Sequence, residues 1–277
     1  MILNRVMITA ANTMAQLQKQ MDTIANNLAN VQTAGYKQRR ATFGEMMVQE
    51  INNQPDAGSE IGRKTPDGIR QGVGAKVAQI QMNPAQGTVS ETGRLLDFAF
   101  TVQNQYFKVL GRDGNTDKIY YTRNGAFYLS PTGENEMMLV TAAGNPVLDE
   151  NNNPILFRGE MKNLELTPGG RFIYTDEDGN RRTVALGVVE AENPQLFLQA
   201  GDNLLVLPDH LTEAGTLTVL HGADRGRIGL RQRALEQSNV DLTEEMTSLL
   251  QTQRAYQFQA RAITLADQMQ GLINGIR

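Results

Sequence analysis

The sequence predicts an α+β protein in which N- and C-terminal helices pair as a coiled coil around an elongated, all-β central domain. Apolar residues repeat at heptad spacing near the start, short alternating runs fill the middle, and heptad spacing returns near the end. These patterns divide the chain into residues 1–40 (N-terminal coiled-coil helix), 41–74 (linker or arm), 75–230 (β-rich domain) and 231–277 (C-terminal coiled-coil helix).

The predicted N-terminal helix carries a narrow apolar seam. Its members follow one another in steps of three and four residues: Met7, Ala10, Met14, Leu17, Met21, Ile24, Leu28 and Val31. So narrow a stripe favours burial against a partner helix. The rest of the helix surface is mostly Asn, Gln and Thr, which favours packing among neighbouring chains over a solvated face.

The end of this helix is predicted from Gly35, which can take the left-handed conformation that closes a helix C-terminus. Tyr36 is then expected to fold back onto the last turn. Lys37, Arg39 and Arg40 follow, where the negative end of the helix dipole favours cations, and we expect them to form a solvated basic face.

The next segment changes character twice. Residues 42–50 carry a second apolar rhythm, typical of either a short helix or an extended arm. Residues 52–74 contain Pro55, Pro66 and five glycines with little apolar content, which predicts a linker or loop.

The β-rich section consists of short runs with period-two alternation, separated by turn residues, and is predicted to be antiparallel. The predicted strands are residues 76–81, 95–102, 106–110, 119–122, 126–130, 137–141, 172–175, 183–190, 204–207 and 216–220. Asp178-Gly179 is a two-residue hairpin signal between two of them.

A second helix is predicted at the C-terminal end. Ser238 or Asn239 is expected to cap its start, and Asp241, Glu244 and Glu245 lie where the helix dipole favours acidic groups. Its seam comprises Leu242, Met246, Leu249, Gln253, Tyr256, Ala260 and Ile263, followed after a small phase shift by Ala266, Met269, Ile273 and Ile276. This helix is the predicted partner of the N-terminal seam, within one chain, between chains, or both.

Composition excludes several classes of protein. A net charge of -4 and a pI near 5.4 argue against nucleic-acid binding. No window approaches the apolar length of a membrane-spanning helix, so no membrane insertion is expected. Because Asn4, Arg5, Asn12 and Gln16 interrupt the N-terminal apolar run, no cleavable signal peptide is expected either.

The sequence offers no convergent catalytic, metal or cofactor site, so we predict a protein that is not an enzyme. His210 and His221 lack nearby ligands at metal spacing. Residues 149–153 echo the oxygen spacing of a calcium loop, but Pro154 stands where that loop needs glycine, and a turn is predicted instead. No phosphate loop, serine elbow or cysteine is present.

Two terminal segments resemble the signatures of the bacterial flagellar rod and hook family. Residues 24–37 are similar to ANNLANVNTTG followed by an aromatic residue and Lys, and residues 235–246 with Gln253-Arg-Ala-Tyr256 are similar to the C-terminal signature. The matched positions are Asn26, Asn27, Asn30, Gly35, Tyr36, Ser238, Asn239, Val240, Asp241, Gln253 and Arg254.

The middle of the chain resembles the family's β-domain segments more loosely, in distal and proximal rod proteins alike. The matching stretches are residues 86–89, 92–97, 121–127 and 140–144. One stretch departs: where the family usually has a Gly-x-Gly-Phe-Phe turn, this chain has Val102-Gln-Asn-Gln-Tyr-Phe107.

The resemblance implies a structural subunit of the flagellar basal-body rod, most like a distal rod protein, since the length favours a rod subunit over the larger hook protein. Such subunits self-assemble into a helical tube that transmits torque and forms the export channel, with terminal helices inside and β domains outside. Proximal rod or hook-type axial subunits are the alternatives. The implied partners are copies of the chain, other flagellar rod and hook proteins, and the flagellar type III export apparatus, which exports them without signal cleavage.

Two sets of residues follow from this implication. The expected assembly interface comprises Met7, Met14, Leu17, Met21, Ile24, Leu28, Val31, Leu242, Met246, Leu249, Tyr256 and Ile263. Phe43 and Met47 resemble the short export-gate motif of rod and hook subunits, although an apolar anchor of the arm would explain them equally well.

Two readings from other classes compete. A secreted β-domain protein that binds cell-wall glycan would need a groove with exposed aromatic residues, and the β section has scattered Phe and Tyr but no Trp. An enzyme acting on the wall would need an acid pair. Paired carboxylates such as Glu244 and Glu245 are instead explained by the start of a helix.

Overall fold

The computed structural model confirms the α+β class, with a long helix towards each end and strands between them. It describes residues 2–46, 48–51, 69–72, 74–114, 116–133, 136–158, 162–176 and 179–275. In chain order the elements are α1 (Ile2–Ala29), β1 (Arg39–Glu45), β2 (Val48–Ile51), β3 (Ile69–Gly72), β4 (Ala75–Met82), β5 (Val89–Glu91), β6 (Phe98–Phe100), β7 (Gln105–Asp113), β8 (Thr116–Thr122), β9 (Tyr128–Gly133), β10 (Glu136–Val140), β11 (Leu156–Arg158), β12 (Lys162–Thr167), β13 (Arg171–Thr175), β14 (Arg181–Ala185), β15 (Val188–Ala191), β16 (Leu198–Gly201), β17 (Leu204–Val206), α2 (Glu213–Thr216), β18 (Leu217–Val219), β19 (Leu230–Gln232), β20 (Ala234–Glu236) and α3 (Leu242–Gly275).

The chain forms two compact units. The helical unit contains Met1–Ala29, Arg39–Gln81 and Asp241–Arg277, and the β unit contains Asn30–Gln38 and Met82–Val240. Each unit therefore combines segments that are distant in the sequence.

In the helical unit, α1 packs along α3, and two strand pairs, β1–β4 and β2–β3, complete the unit. Residues 42–50 fall largely in β1 and β2, so the extended alternative is correct and the helical one is wrong. The described part of the chain contains no helix that is both long enough and apolar enough to cross a membrane.

The cap of α3 corrects one prediction. Asp241, not Ser238 or Asn239, caps the helix, because its Oδ1 accepts hydrogen bonds from the backbone N–H of Thr243 at 2.8 Å and Glu244 at 3.1 Å. Asn239 is instead used in the β unit.

The β unit is built on a six-stranded antiparallel sheet with the order β16-β17-β8-β7-β15-β18. Consecutive residues of a strand point to opposite faces, and β7 accordingly sends Tyr106 into one apolar cluster and Phe107 into another. The larger cluster has an aromatic centre of Phe98, Phe100, Phe107, Phe127, Phe157 and Phe172. The sheet is therefore covered on both faces.

Smaller antiparallel sheets surround this one. Their orders are β11-β10-β9, β12-β13-β14, β19-β6 and β20-β5. The predicted hairpin is confirmed, since β13 and β14 pair from Arg171↔Ala185 to Thr175↔Arg181 and Gly179 has φ +78°. The two-residue loop is wrong, because five residues separate the two strands. Asp178 lies outside the described residues.

The turn that departs from the family pattern keeps a backbone conformation that glycine favours. Asn104, just before β7, has φ +61°. Asn tolerates this left-handed region better than most residues, and when the pattern is aligned on Tyr106-Phe107, Asn104 lies between its two glycine positions, Gln103 and Gln105.

Candidate assembly interface

The seam of α1 lies on the buried side of that helix. Ala10 and Ile24 are buried, and the remaining helical members, Met7, Met14, Leu17, Met21 and Leu28, are half-buried. Val31 follows the helix end and is also half-buried. Because α3 is the element with which α1 packs most extensively, α3 covers much of this seam within the chain.

The packing face of α3 differs from its apolar seam. A row in steps of four and three residues is buried or half-buried, and four neighbouring positions are half-buried beside it. The row comprises Glu245, Leu249, Thr252, Tyr256, Gln259, Ile263, Ala266 and Gln270, and its neighbours are Ser248, Ala255, Ala260 and Ala262. Leu249, Tyr256, Ala260, Ile263 and Ala266 belong to both sets. Leu242, Met246 and Gln253 are exposed instead, so the face that packs is displaced around the helix towards polar and small residues.

Two apolar stripes remain exposed on α3. The first stripe, Leu242, Met246 and Leu250, has a spacing of four residues near the start of the helix. The second stripe lies further along and comprises Phe258, Leu265, Met269 and Leu272. Phe258 is 66% exposed and Leu272 is 68% exposed, unusually high values for large apolar side chains in a regular row. Ile273 is also exposed, and Ile276 lies outside the described residues.

One buried polar contact joins α1, β1 and α3. The Asn27 amide donates to Glu245 Oε1 at 2.9 Å and to the carbonyl of Arg39 at 2.8 Å. Asn27 Oδ1 accepts from the backbone N–H of Arg39 at 2.9 Å. Both Asn27 and Glu245 are buried, so this family-signature asparagine acts inside the helical unit.

The signature loop, residues 30–38, lies in the β unit. Gly35 donates its N–H to the carbonyl of Glu236 at 2.8 Å, and Gln38 donates its N–H to Asn239 Oδ1 at 2.6 Å. The Asn239 amide also donates to the carbonyls of Asn83 at 3.1 Å and Ala85 at 2.9 Å. The two family signatures thus meet in space.

The prediction that Gly35 closes the helix is wrong, because α1 already ends at Ala29. Gly35 has a φ of +70°, and a Cβ at this position would lie 2.6 Å from Asn124 N. Glycine is required by a close backbone approach. Tyr36 is buried and donates its N–H to the carbonyl of Thr33 at 3.2 Å.

A buried charge cluster of Lys37, Arg123 and Glu236 lies beside this loop. Glu236 Oε1 accepts from Lys37 Nζ at 2.6 Å and from Gly87 N at 3.0 Å, and Oε2 accepts from Arg123 Nε at 2.6 Å. All three side chains are at most 4% exposed. The prediction of a solvated Lys37 is therefore wrong, whereas Arg40 is exposed.

Burial and ion pairing compete in this cluster. Burial alone would raise the pKa of Glu236, but Arg123 and Lys37 together outweigh it, and the pKa lies below its ordinary value. For Lys37, burial lowers the pKa despite the opposing effect of Glu236. Sequence reasoning missed Arg123 and Glu236, although both lie inside the stretches that resemble the family.

The other signature residues make local hydrogen bonds, are buried, or are exposed on their helices. Asn30 Oδ1 accepts from Thr33 Oγ1 at 3.1 Å in the turn after α1, and Ser238 Oγ accepts from Val240 N at 3.4 Å. Val240 is buried. Asn26, Gln253 and Arg254 are exposed on their helices. Of the suggested export motif, Phe43 is exposed on β1, and Met47 lies outside the described residues.

The loop of residues 149–153 is a turn, as predicted. Asp149 Oδ1 accepts from the backbone N–H groups of Asn151 and Asn153, both at 2.8 Å. Asn152 Oδ1 accepts from Nζ of the buried Lys108 at 2.9 Å. The described residues contain no cluster of three or more side chains suited to holding a metal ion.

Family models match the chain in three places. Residues 7–37 match the flagella basal body rod protein model, and residues 231–276 match the flagellar basal body rod FlgEFG protein C-terminal model. Residues 103–180 match the flagellar hook protein FlgE/F/G D1 domain. These regions include both signatures and two strands of the six-stranded sheet, β7 and β8.

Similar proteins cover nearly the whole chain. The flagellar hook-basal body complex protein FlhP of Bacillus subtilis is 42% identical over 99% of both chains. The chain belongs to the flagellar basal-body rod and hook family. The flagellar basal-body rod proteins FlgG of Bacillus subtilis (32% identical over 98% of each chain) and of Borreliella burgdorferi (34% identical over 99% of this chain and 98% of the other) are similar along their length too.

Membership of the rod and hook family identifies the class of function. It is a family of structural, non-enzymatic proteins of the flagellar basal body, and the chain is a structural rod subunit of that kind. The residues of interest are therefore those that hold the fold and those that contact other subunits.

Proposed function

We propose that this rod protein builds the distal rod, where copies stack through their terminal helices into a helical tube that transmits torque and forms the export channel. The observation that carries the proposal is the pair of apolar stripes that α3 leaves exposed. A helix that packs on one face and is apolar on two others is suited to contact more than one neighbour.

The second stripe provides a substantial contact energy. Its four side chains are between 47% and 68% exposed. Since full burial of such a side chain contributes about 1.5–3 kcal/mol, covering the stripe would contribute roughly 4–7 kcal/mol per copy before the costs of association. Repetition along a tube makes such contacts cooperative.

In the tube we propose that the packing of α1 against α3 takes the form of a coiled coil. The heptad spacing of the α1 seam and the steps of the α3 packing face support this geometry. Regular helix pairs of this kind can repeat along a tube without changing their contacts.

We also propose where in the rod the subunit lies and how it is exported. The β-domain segments resemble distal and proximal rod proteins alike, and we propose the distal rod, with proximal rod and hook-type subunits as alternatives. We expect export through the flagellar type III apparatus without cleavage of a signal peptide. Phe43 is accessible on β1 for recognition by that apparatus before assembly.

Substituting Phe258→Asp should abolish assembly, because it places a carboxylate at the first position of the second stripe, where a neighbour would have to bury it. The variant is produced in cells that lack the native chain, and the measurements are swimming in soft agar and electron microscopy of isolated basal bodies. We expect non-motile cells and truncated rods.

The matched control is Phe258→Leu, which keeps an apolar side chain at the same position and adds no charge. It should leave motility intact. The unfolding temperature of the purified Phe258→Asp protein should equal that of the native protein, since the side chain is exposed in the single chain. Normal motility with Phe258→Asp would contradict the proposal.

A further inference from the structure

The apolar contacts between α1 and α3 specify their alignment only weakly. The α1 seam consists largely of methionine and leucine at a regular heptad repeat, and methionine adapts to many surroundings. The packing face of α3 offers Ser248, Ala255 and Ala262, also seven residues apart. Sliding one helix by a heptad would therefore place similar side chains opposite one another.

The contact of Asn27 with Glu245 has no equivalent in the slip that brings Leu17 level with Ala262, because that slip puts Thr252 level with Asn27. Seven residues from Asn27 on α1 is Gln20, and seven residues from Glu245 on α3 is Thr252. Thr252 donates its hydroxyl within its own helix, to the carbonyl of Ser248 at 2.8 Å. A slipped pairing would leave the buried carboxylate of Glu245 without the Asn27 amide.

We infer that the Asn27–Glu245 pair fixes the register of α1 against α3, so that these two are positioning residues for the assembly surface. β1 strengthens the selection, because the backbone of Arg39 pairs with the same amide at both its N–H and its carbonyl. The register decides which apolar residues of α3 face outwards. This consequence for assembly rests on the proposed function, whereas the register itself does not.

The geometry gives a direct measurement of register. Asn27 near the end of α1 contacts Glu245 near the start of α3, so the packed helices run antiparallel. Ten residues along each helix from this contact, Leu17 and Ala255 are expected at the same level. The chain has no cysteine. A Leu17→Cys, Ala255→Cys pair therefore reports the native register, and a Leu17→Cys, Ala262→Cys pair reports a slip of one heptad.

The two pairs are well separated. Seven helical residues rise about 10 Å, more than the roughly 4–7 Å between Cα atoms that a disulfide spans. In the full-length, dilute protein with native Asn27 and Glu245, oxidation should therefore cross-link the first pair and leave the second reduced.

Substituting Asn27→Leu together with Glu245→Leu should raise the ratio of slipped to native cross-link by roughly tenfold or more, the factor that a charge-assisted hydrogen bond contributes to an equilibrium. Glu245→Gln keeps an oxygen acceptor for Asn27 and should retain the native pattern. The control Arg40→Leu, Glu244→Leu removes the neighbouring exposed ion pair and should change neither yield.

The cross-links also separate this inference from the proposed function. An unchanged native pattern in the double-leucine variant would overturn the register assignment, and so would the loss of both cross-links, which would mean that the pair holds the helices together without selecting an alignment. Neither result depends on whether the protein assembles. The Phe258→Asp experiment, by contrast, tests assembly without altering the register.

Discussion

Substituting Glu236→Leu should lower the free energy of unfolding of the β unit by roughly 3–5 kcal/mol, the usual cost of removing one partner from a buried ion pair. The change leaves the charges of Lys37 and Arg123 in a site that excludes water, and it removes the acceptor for the N–H of Gly87. Urea unfolding followed by near-ultraviolet circular dichroism measures it. Six of the seven tyrosines lie in the β unit, so this signal reports that unit.

The control is Glu91→Leu on β5, the strand that pairs with β20. Glu91 forms an ion pair with Arg231 in which both side chains are more than half exposed, so its loss should cost less than about 1 kcal/mol. Equal effects of the two substitutions would show that the buried charge cluster does not stabilise the fold.

The same cluster predicts a pH dependence. Because the pKa of Glu236 is lower in the folded state than in the unfolded chain, its stabilising contribution is present above the unfolded value, near 4.5, and disappears as the pH falls through the lowered folded value. The difference in unfolding free energy between native protein and Glu236→Gln should therefore be largest near neutral pH and shrink as the pH falls from about 4.5 through the lowered pKa. A gap that stays constant throughout acid titration would contradict this assignment.

Substituting Gly35→Ala should destabilise the β unit by about 3 kcal/mol or more. An alanine at φ +70° costs roughly 1–2 kcal/mol, and its Cβ would lie 2.6 Å from Asn124 N and 2.7 Å from Arg123 C. Those atoms are backbone, and the neighbouring loop is fixed by several hydrogen bonds, so the clash cannot be relieved by rotating a side chain. Thermal unfolding of the purified variant measures the loss.

Gly93 is the matched control, because it has φ +75° and no atom within 4 Å of the position of a Cβ. Gly93→Ala should show only the conformational cost of about 1–2 kcal/mol. The difference between the two variants isolates the close approach at Gly35. Similar losses at both positions would mean that the backbone conformation alone explains the glycine in the signature.

The regular elements could be predicted from the sequence because their patterns arise from burial. The α1 seam, the alternation in the β section and the β13–β14 hairpin each reflect a side chain that is hidden on one side. The end of α1 at Ala29 and the cap of α3 at Asp241 were harder to predict from the sequence. Gly35 and Asn239 have the right residue types for caps, but other segments of the chain use them.

The polar contacts could not be predicted, because charge and length do not reveal partners that are distant in sequence. Lys37 and Glu236 are 199 residues apart, and Asn27 and Glu245 are 218 apart. The packing face of α3 was missed for a related reason. Its buried residues Glu245 and Thr252 are polar and do not mark a seam, whereas many of its most apolar residues remain exposed.

The central claim is that the exposed stripes of α3 become buried between copies of this chain in the rod. Electron cryo-microscopy of intact basal bodies, at a resolution that shows side chains, tests it most directly. We expect the chain in the distal rod, with Phe258, Leu265 and Leu272 covered by a neighbouring copy and their exposure falling from more than half to nearly none. A rod in which these side chains face solvent would contradict the account.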